Sequence, residues 1–364
     1  MAKEYDIEVY SQKSLYNPKE RTLKIYFDEP EEGVNEQTGI LMLISGYGGK
    51  ADSNVYKKMR RIFADEYNLV TVQCDYFGYE YMQSDFPELS ETILRQNLTN
   101  EEIQALVQDA SQCNKVLQGK VLKIKADIQE STSNFNDMGP VQAMDHLIAM
   151  KVIDDILKQN GLVYNKNKII AYGVSHGAYI AYMCNAFMPE VFTTIIDNSS
   201  YLYPLYIEGC YRTVTKTNGI FEQQVYYDYL IKHMVFDKEI YKLLNLYGQF
   251  DNQAHIIAFH GEQDHMTTVY DKLRFIDGVL NAECKIITDQ DIDHQMFKNT
   301  GHGLGADFLK LFAYIMSHYE IEGKHIGMQF YDRVILTVNY RYIIENETGV
   351  PLLRYEGQGG NNEC

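Results

Sequence analysis

The chain has 364 residues, 45% of them hydrophobic, and a formal net charge of −17. Such a length suits one large domain with insertions or two small ones, with enough apolar residues for a sizeable core. The excess of acid repels phosphate-rich surfaces, which argues against nucleic acid and anionic membrane as partners.

Tyr5 to Tyr10 and Thr22 to Phe27 alternate apolar and polar residues, the period of half-buried antiparallel strands. Ile40 to Ile44 is continuously apolar, as an interior strand is. Asn54 to Tyr67 predicts a helix with Val55, Met59, Ile62 and Phe63 on one face, and Asn68 to Cys74 the next strand. Residues 80–136 then interrupt the pattern. They predict two polar helical stretches, Glu101 to Leu117 and Val121 to Gln129, and read as a lid-like insertion.

Met138-Gly-Pro140 opens a helix that runs to about Lys158. Ile169 to Tyr172 is a buried strand, Gly173-Val174-Ser175-His176-Gly177 a sharp turn, and Ala178 to Phe187 a helix closed by Pro189. Phe192 to Asp197 is another strand. Residues 199–250 interrupt again and read as a helical, cap-like insertion in which Tyr201, Tyr203, Tyr206, Tyr211, Tyr226, Tyr227 and Tyr229 could line an aromatic pocket. A strand over Ala254 to Phe259, a helix over Thr267 to Leu280, a strand over Glu283 to Thr288 and a helix from Asp307 to about Tyr319 follow. The alternation predicts an α/β fold, a mostly parallel sheet with helices on both faces, preceded by antiparallel strands. The domain expected over 1–320 is followed by a β extension over 321–356 and a disordered tail over 357–364.

Strand, G-x-S-x-G, helix is the context of a nucleophile elbow, with Ser175 at the tip. A serine hydroxyl is a weak nucleophile at neutral pH. It needs an imidazole to take its proton, and the imidazole needs a carboxylate to fix its tautomer. Asp264 lies just after a strand in His260-Gly-Glu-Gln-Asp264-His265, and His302 lies in Gly301-His-Gly303 before the final helix. Ser175, Asp264, His302 is the chain order that such chemistry takes on this kind of sheet. Asp197 also ends a strand and competes as the acid. His294 competes with His302, while His260 and His265 read as loop hydrogen-bonders.

With these pieces in order, the chain resembles the α/β-hydrolase superfamily over roughly residues 20–320. That superfamily often carries its acid in H-G-x-x-D and its base in a G-H-G-like loop. The resemblance implies that Ser45-Gly46-Tyr47-Gly48-Gly49 supplies half of an oxyanion hole through the Tyr47 N–H, with the His176 N–H as the other half. Ser45 stands where many relatives carry His. The implied activity is a serine hydrolase, an esterase or deacylase on a small or mid-sized acylated substrate, with no cofactor. A peptidase, an acyltransferase or a non-catalytic binding protein of the same fold are the alternatives. The chain also looks like an uncharacterised bacterial branch of the superfamily, of the type encoded near surface-glycan genes.

Asp289, Asp291, Asp293, His294 and His302 could suggest a metal, but the stretch lacks the glycine and terminal glutamate of an EF-hand loop, and no H-E-x-x-H occurs. No metal is expected; a solvated acidic loop is. The start, Met1-Ala-Lys-Glu-Tyr-Asp, does not follow the order of a signal peptide, and no apolar stretch reaches membrane-spanning length. Cys74, Cys113, Cys184, Cys210, Cys284 and Cys364 are scattered without a C-x-x-C and read as reduced thiols, so a cytoplasmic location is expected.

Overall fold

The computed structural model describes residues 1–346 and 349–358. In chain order it contains strands β1 (Lys3–Ser11), β2 (Arg21–Glu29) and β3 (Gly39–Ile44), helix α1 (Asn54–Tyr67), strand β4 (Leu69–Cys74), helices α2 (Glu91–Asn97), α3 (Asn100–Gln108) and α4 (Cys113–Leu117) and strand β5 (Val121–Lys125). Helix α5 (Pro140–Gln159), strand β6 (Ile169–Val174), helix α6 (His176–Phe187), strands β7 (Thr194–Asn198), β8 (Arg212–Thr217) and β9 (Glu222–Tyr227) and helices α7 (Ile231–Met234) and α8 (Leu243–Tyr247) come next. Strand β10 (His255–Gly261), helix α9 (Val269–Asp277), strand β11 (Ala282–Ile287), helix α10 (Phe308–His318) and strands β12 (Arg333–Leu336), β13 (Tyr340–Glu345) and β14 (Leu352–Gly357) follow. They make two compact units. One holds Met1–Tyr79, Asp137–Pro204 and the chain from Phe236 onward; the other holds Glu80–Asn136 and Leu205–Val235.

The larger unit is built on an eight-stranded sheet in the order β1-β2-β4-β3-β6-β7-β10-β11. β1 and β2, and β2 and β4, pair antiparallel; every pair from β4 to β11 is parallel. β3, β4 and β7 are buried along their whole length, as interior parallel strands must be. The connection β3-α1-β4 steps toward the β1 edge, whereas β6-α6-β7 and β10-α9-β11 step the other way. Right-handed crossovers then put α1 on one face and α5, α6 and α9 on the other. Helix α10 lies beside α1, with the Phe63 and Phe312 rings 4.3 Å apart. The strand order therefore reverses between β3 and β6. On sheets of this kind ligand sites form beyond the carboxyl ends of the strands at such a reversal.

Helix α1 starts at the cap residue Ser53, whose side chain accepts from Tyr56 N–H, and ends at Asn68 in the left-handed region, φ 52°. Its buried face runs through Tyr56, Met59, Arg60 and Phe63, while Val55 is exposed, unlike the expected stripe. The rotation follows from Arg60. This buried guanidinium donates to Asp28 Oδ1 at 2.8 Å, and to Ala51 O and Gln73 Oε1 at 2.7 Å each.

In the smaller unit the structure corrects two expectations. Val121–Lys125 is a strand, not a helix: it alternates exposed and buried residues, and it pairs parallel with β9, about a hundred residues further on. Residues 199–250 are not simply helical either. β8 and β9 form an antiparallel hairpin around Asn218-Gly219, and with β5 they make a sheet in the order β5-β9-β8. Asn218 Oδ1 accepts from the N–H groups of Ile220 and Phe221, and Gly219 takes φ +85°, so the turn is held by its own side chain. The stretch expected as one helix from Glu101 is broken at Asp109, which caps the next short turn through Ser111 N–H.

β12, β13 and β14 form a separate antiparallel sheet. Gly357 pairs within it, which corrects the expected disorder at that residue, and residues 359–364 of the expected tail lie outside the described residues. Among the described residues no helix is long and apolar enough to cross a membrane. The five described cysteines are unpaired, and Cys364 lies outside the described residues.

Candidate active site

The turn that joins β6 to α6 lies at the strand reversal. Ser175 sits at its tip with φ 53° and ψ −115°, a conformation that L-residues rarely hold. The flanking glycines explain why this turn can close. A Cβ on Gly173 would lie 2.3 Å from Ala178 N, and one on Gly177 would lie 2.1 Å from Ile44 O. Gly177→Ala is expected to cost about 3 kcal/mol, because backbone rather than a movable side chain blocks the methyl. A denaturant titration beside the parent protein checks it.

Ser175 N–H donates to Asn198 O at 2.8 Å, tying the elbow to the end of β7. Its hydroxyl lies 2.7 Å from His302 Nε2. His302 Nδ1 lies 2.8 Å from Asp264 Oδ2, and Asp264 Oδ1 accepts from Met266 N–H at 2.8 Å. The structure thus brings Ser175, His302 and Asp264 into one hydrogen-bonded line. Asp264 is almost fully buried, at 7% exposure. Burial pushes its carboxyl pKa up, but the hydrogen bond and charge of His302 outweigh that and hold it below the usual carboxylate range.

The two loops that carry these residues meet through a third glycine. A Cβ on Gly261, at the end of β10, would lie 2.1 Å from Thr300 O, and Gln263 N–H donates to that oxygen at 2.9 Å. The glycine of His-Gly-x-x-Asp thus lets the His302 loop lie against the Asp264 loop. Past His302, Gly303, Leu304 and Gly305 all have positive φ, and the buried Leu304 anchors the loop in the core.

The Ser45–Gly49 loop lies against the elbow. A Cβ on Gly46 would be 2.9 Å from Val174 O and 3.6 Å from Ser175 Cβ. Ser45 Oγ donates to Gly49 O at 3.2 Å. The Tyr47 and His176 rings are 5.0 Å apart.

The competing residues are engaged elsewhere. Asp197 is buried and forms an ion pair with Lys272. It also accepts from Tyr182 OH at 2.8 Å and Ser200 N–H at 2.7 Å. His260 Nε2 donates to Thr267 O at 2.9 Å, and its Nδ1 is 3.7 Å from Asp264 Oδ2; burial and the Lys272 charge hold its pKa below the ordinary value. His294 sits in an exposed turn, its N–H donating to Phe297 O. The exposed His265 ring is 6.2 Å from that of His302. Two acids of the 289–293 loop hold turns: Asp291 accepts from Thr288, and Asp293 accepts from the N–H groups of Gln295, Met296 and Phe297. Among the described residues no cluster of three His, Cys, Asp or Glu is disposed to hold a metal. Sequence reading missed Lys272, which pairs with Asp197, and Gln142, which is bonded to His176. A lysine on an amphipathic helix reads as solvated, and a glutamine beside an apolar stripe reads as neutral, so neither carried a signal.

Sheet order, crossovers and elbow together define the α/β-hydrolase fold. The chain superposes on the acylaminoacyl peptidase of Pyrococcus horikoshii with a TM-score of 0.50 at 14% identity, over 91% of this chain and 43% of the peptidase. It thus spans less than half the length of that protein, and the likeness is one of fold. Est1E from Butyrivibrio proteoclasticus, solved with ferulic acid bound, matches with a TM-score of 0.43 at 13% identity over 80% of this chain and 92% of its own. The propionate-bound esterase Est2 of Thermogutta terrifontis matches with a TM-score of 0.45 at 12% identity, over 86% and 95%. A family model described as a protein of unknown function (DUF2920) matches residues 80–209, and no curated protein sequence matches the chain.

Proposed function

We propose that the protein is a serine hydrolase that cleaves acyl esters through a covalent Ser175 ester. The observation that carries this reading is the unbroken line Ser175–His302–Asp264, with 2.7 Å and 2.8 Å links, at the strand reversal. His302 Nε2 takes the Ser175 proton as Oγ bonds to the acyl carbon. The carbonyl oxygen becomes an oxyanion, held by the N–H groups of Tyr47 and His176; losing one such donor typically costs about 3 kcal/mol. The C–O bond to the alcohol then breaks, and His302 returns the proton to the departing oxygen. Water repeats the sequence in reverse: His302 takes its proton, the hydroxide oxygen bonds to the acyl carbon, and Ser175 leaves as the hydroxyl. Asp264 keeps the Nδ1 proton of His302 in place throughout. A substrate with a small or mid-sized acyl group is the class proposed.

The test uses a fluorophosphonate, which phosphorylates an activated serine with loss of fluoride. Digestion and mass spectrometry are expected to place the adduct on Ser175, and His302→Ala to slow its formation by roughly 10⁴-fold or more. No adduct on the parent protein, or an adduct on another residue, rejects the reading.

A further inference from the structure

The residue after the nucleophile has a side chain that the mechanism above leaves unused. His176 is fully buried. Its Nε2 lies 2.6 Å from Gln142 Oε1, and its Nδ1 is hydrogen-bonded to the Tyr201 hydroxyl. Gln142 stands in the first turn of α5, and Tyr201 in the segment after β7. Three separate pieces of the larger unit therefore meet on one imidazole, at the residue whose N–H heads α6.

The proton positions follow from the partners. Gln142 Nε2 is 3.1 Å from Phe77 O, which can only accept, so the amide nitrogen faces Phe77 and the amide oxygen faces His176. His176 Nε2 then carries a hydrogen toward Oε1. In that tautomer Nδ1 accepts from the Tyr201 O–H. Tyr201 is itself held by stacking on Tyr179, with centroids 4.9 Å apart. The ring thus has no nitrogen directed at Ser175, and its effect on chemistry must run through the backbone to which it is attached. A buried apolar side chain fills volume but sets no direction. A ring bonded at both ends fixes its own orientation and, with it, the backbone of residue 176.

We propose that His176 is a positioning residue, clamped between Gln142 and Tyr201 so that its N–H points at the oxyanion site. The proposal rests on the reading of Ser175 as nucleophile. Its consequence is a separation of rate from binding: the clamp acts on the charge that develops during reaction, not on the resting substrate.

The experiment measures fluorophosphonate labelling of the full chain as a function of reagent concentration, giving a maximal rate and a half-saturating concentration. Gln142→Met removes the hydrogen bonds to His176 and Phe77 at nearly constant volume, and Tyr201→Phe removes one oxygen. Each is expected to lower the maximal rate about 10-fold or more, since small misplacements of a catalytic group cost up to roughly 100-fold, while the half-saturating concentration changes less than about 3-fold. Melting temperatures are recorded alongside, and if Gln142→Met does not fold, Tyr201→Phe provides the readout. A maximal rate within 2-fold of the parent in a folded variant overturns the proposal and leaves the clamp a purely structural contact. Ser175→Ala separates the two levels. If it stays unlabelled while the clamp variants react normally, only this inference falls; if it is still labelled, the serine reading falls first.

Discussion

Ser175→Ala is expected to lower the proposed hydrolysis of an activated acyl ester by roughly 10⁴- to 10⁶-fold, the range found when the nucleophile is removed from a triad. Alanine also keeps the backbone problem, because its Cβ is as intolerant of φ 53°, ψ −115° as that of serine. Ser175→Gly removes both the hydroxyl and the Cβ. Relief of about 1–3 kcal/mol of strain, offset by about 0.5–1 kcal/mol of extra freedom in the unfolded chain, leaves the glycine variant about 1 kcal/mol more stable than the alanine variant. Side-by-side urea unfolding reads the difference. A glycine variant less stable than the alanine variant would mean that the elbow is not strained, and the turn would then need another explanation than the presentation of Oγ.

The elements that could be read from the sequence are those whose cause is local. Gly173, Gly177 and Gly261 each stand where a Cβ would meet backbone at 2.3 Å or less, so the motifs around Ser175 and Asp264 record steric necessity in a few residues. The parallel strands announce themselves as short apolar runs because both faces are covered. What could not be read depends on partners far away in the chain. Val121–Lys125 looks ambiguous alone and becomes a strand because β9 pairs with it. The β8-β9 hairpin is legible in principle from Asn218-Gly219 between Thr/Val and Val/Tyr runs, but the many tyrosines around it mask the alternation and suggest a helical cap. Asp197 lies at the end of β7 and Asp264 in the loop just after β10, and although the H-G-x-x-D pattern favours Asp264, position along the chain leaves Asp197 as a competitor. Their three-dimensional surroundings separate them further, since Asp264 faces His302 and Asp197 faces Lys272.

That contrast leads to the second large effect. Lys272→Met is expected to destabilise the protein by about 3–5 kcal/mol, because it leaves the Asp197 carboxylate buried without its counter-charge. The side chains of Lys272 and Asp197 are both fully buried, at 0% exposure. Lys272 Nζ also donates to Ser200 Oγ at 2.6 Å and lies 5.3 Å from the Tyr182 ring centroid, so little water can replace the lost partner. For a chain of this length the melting temperature falls on the order of 5 °C. Asp197→Asn strands the lysine instead and costs a comparable amount, whereas the double variant Lys272→Met/Asp197→Asn removes both charges and recovers most of the loss. The same variants weigh the two acids against each other. If Asp264 orients His302, folded Asp197→Asn protein is labelled at Ser175 at close to the parent rate, while Asp264→Asn is slowed by roughly 10⁴-fold. Equal slowing by both would transfer the orienting role to Asp197 and turn the buried ion pair from a structural lock into part of the reaction centre.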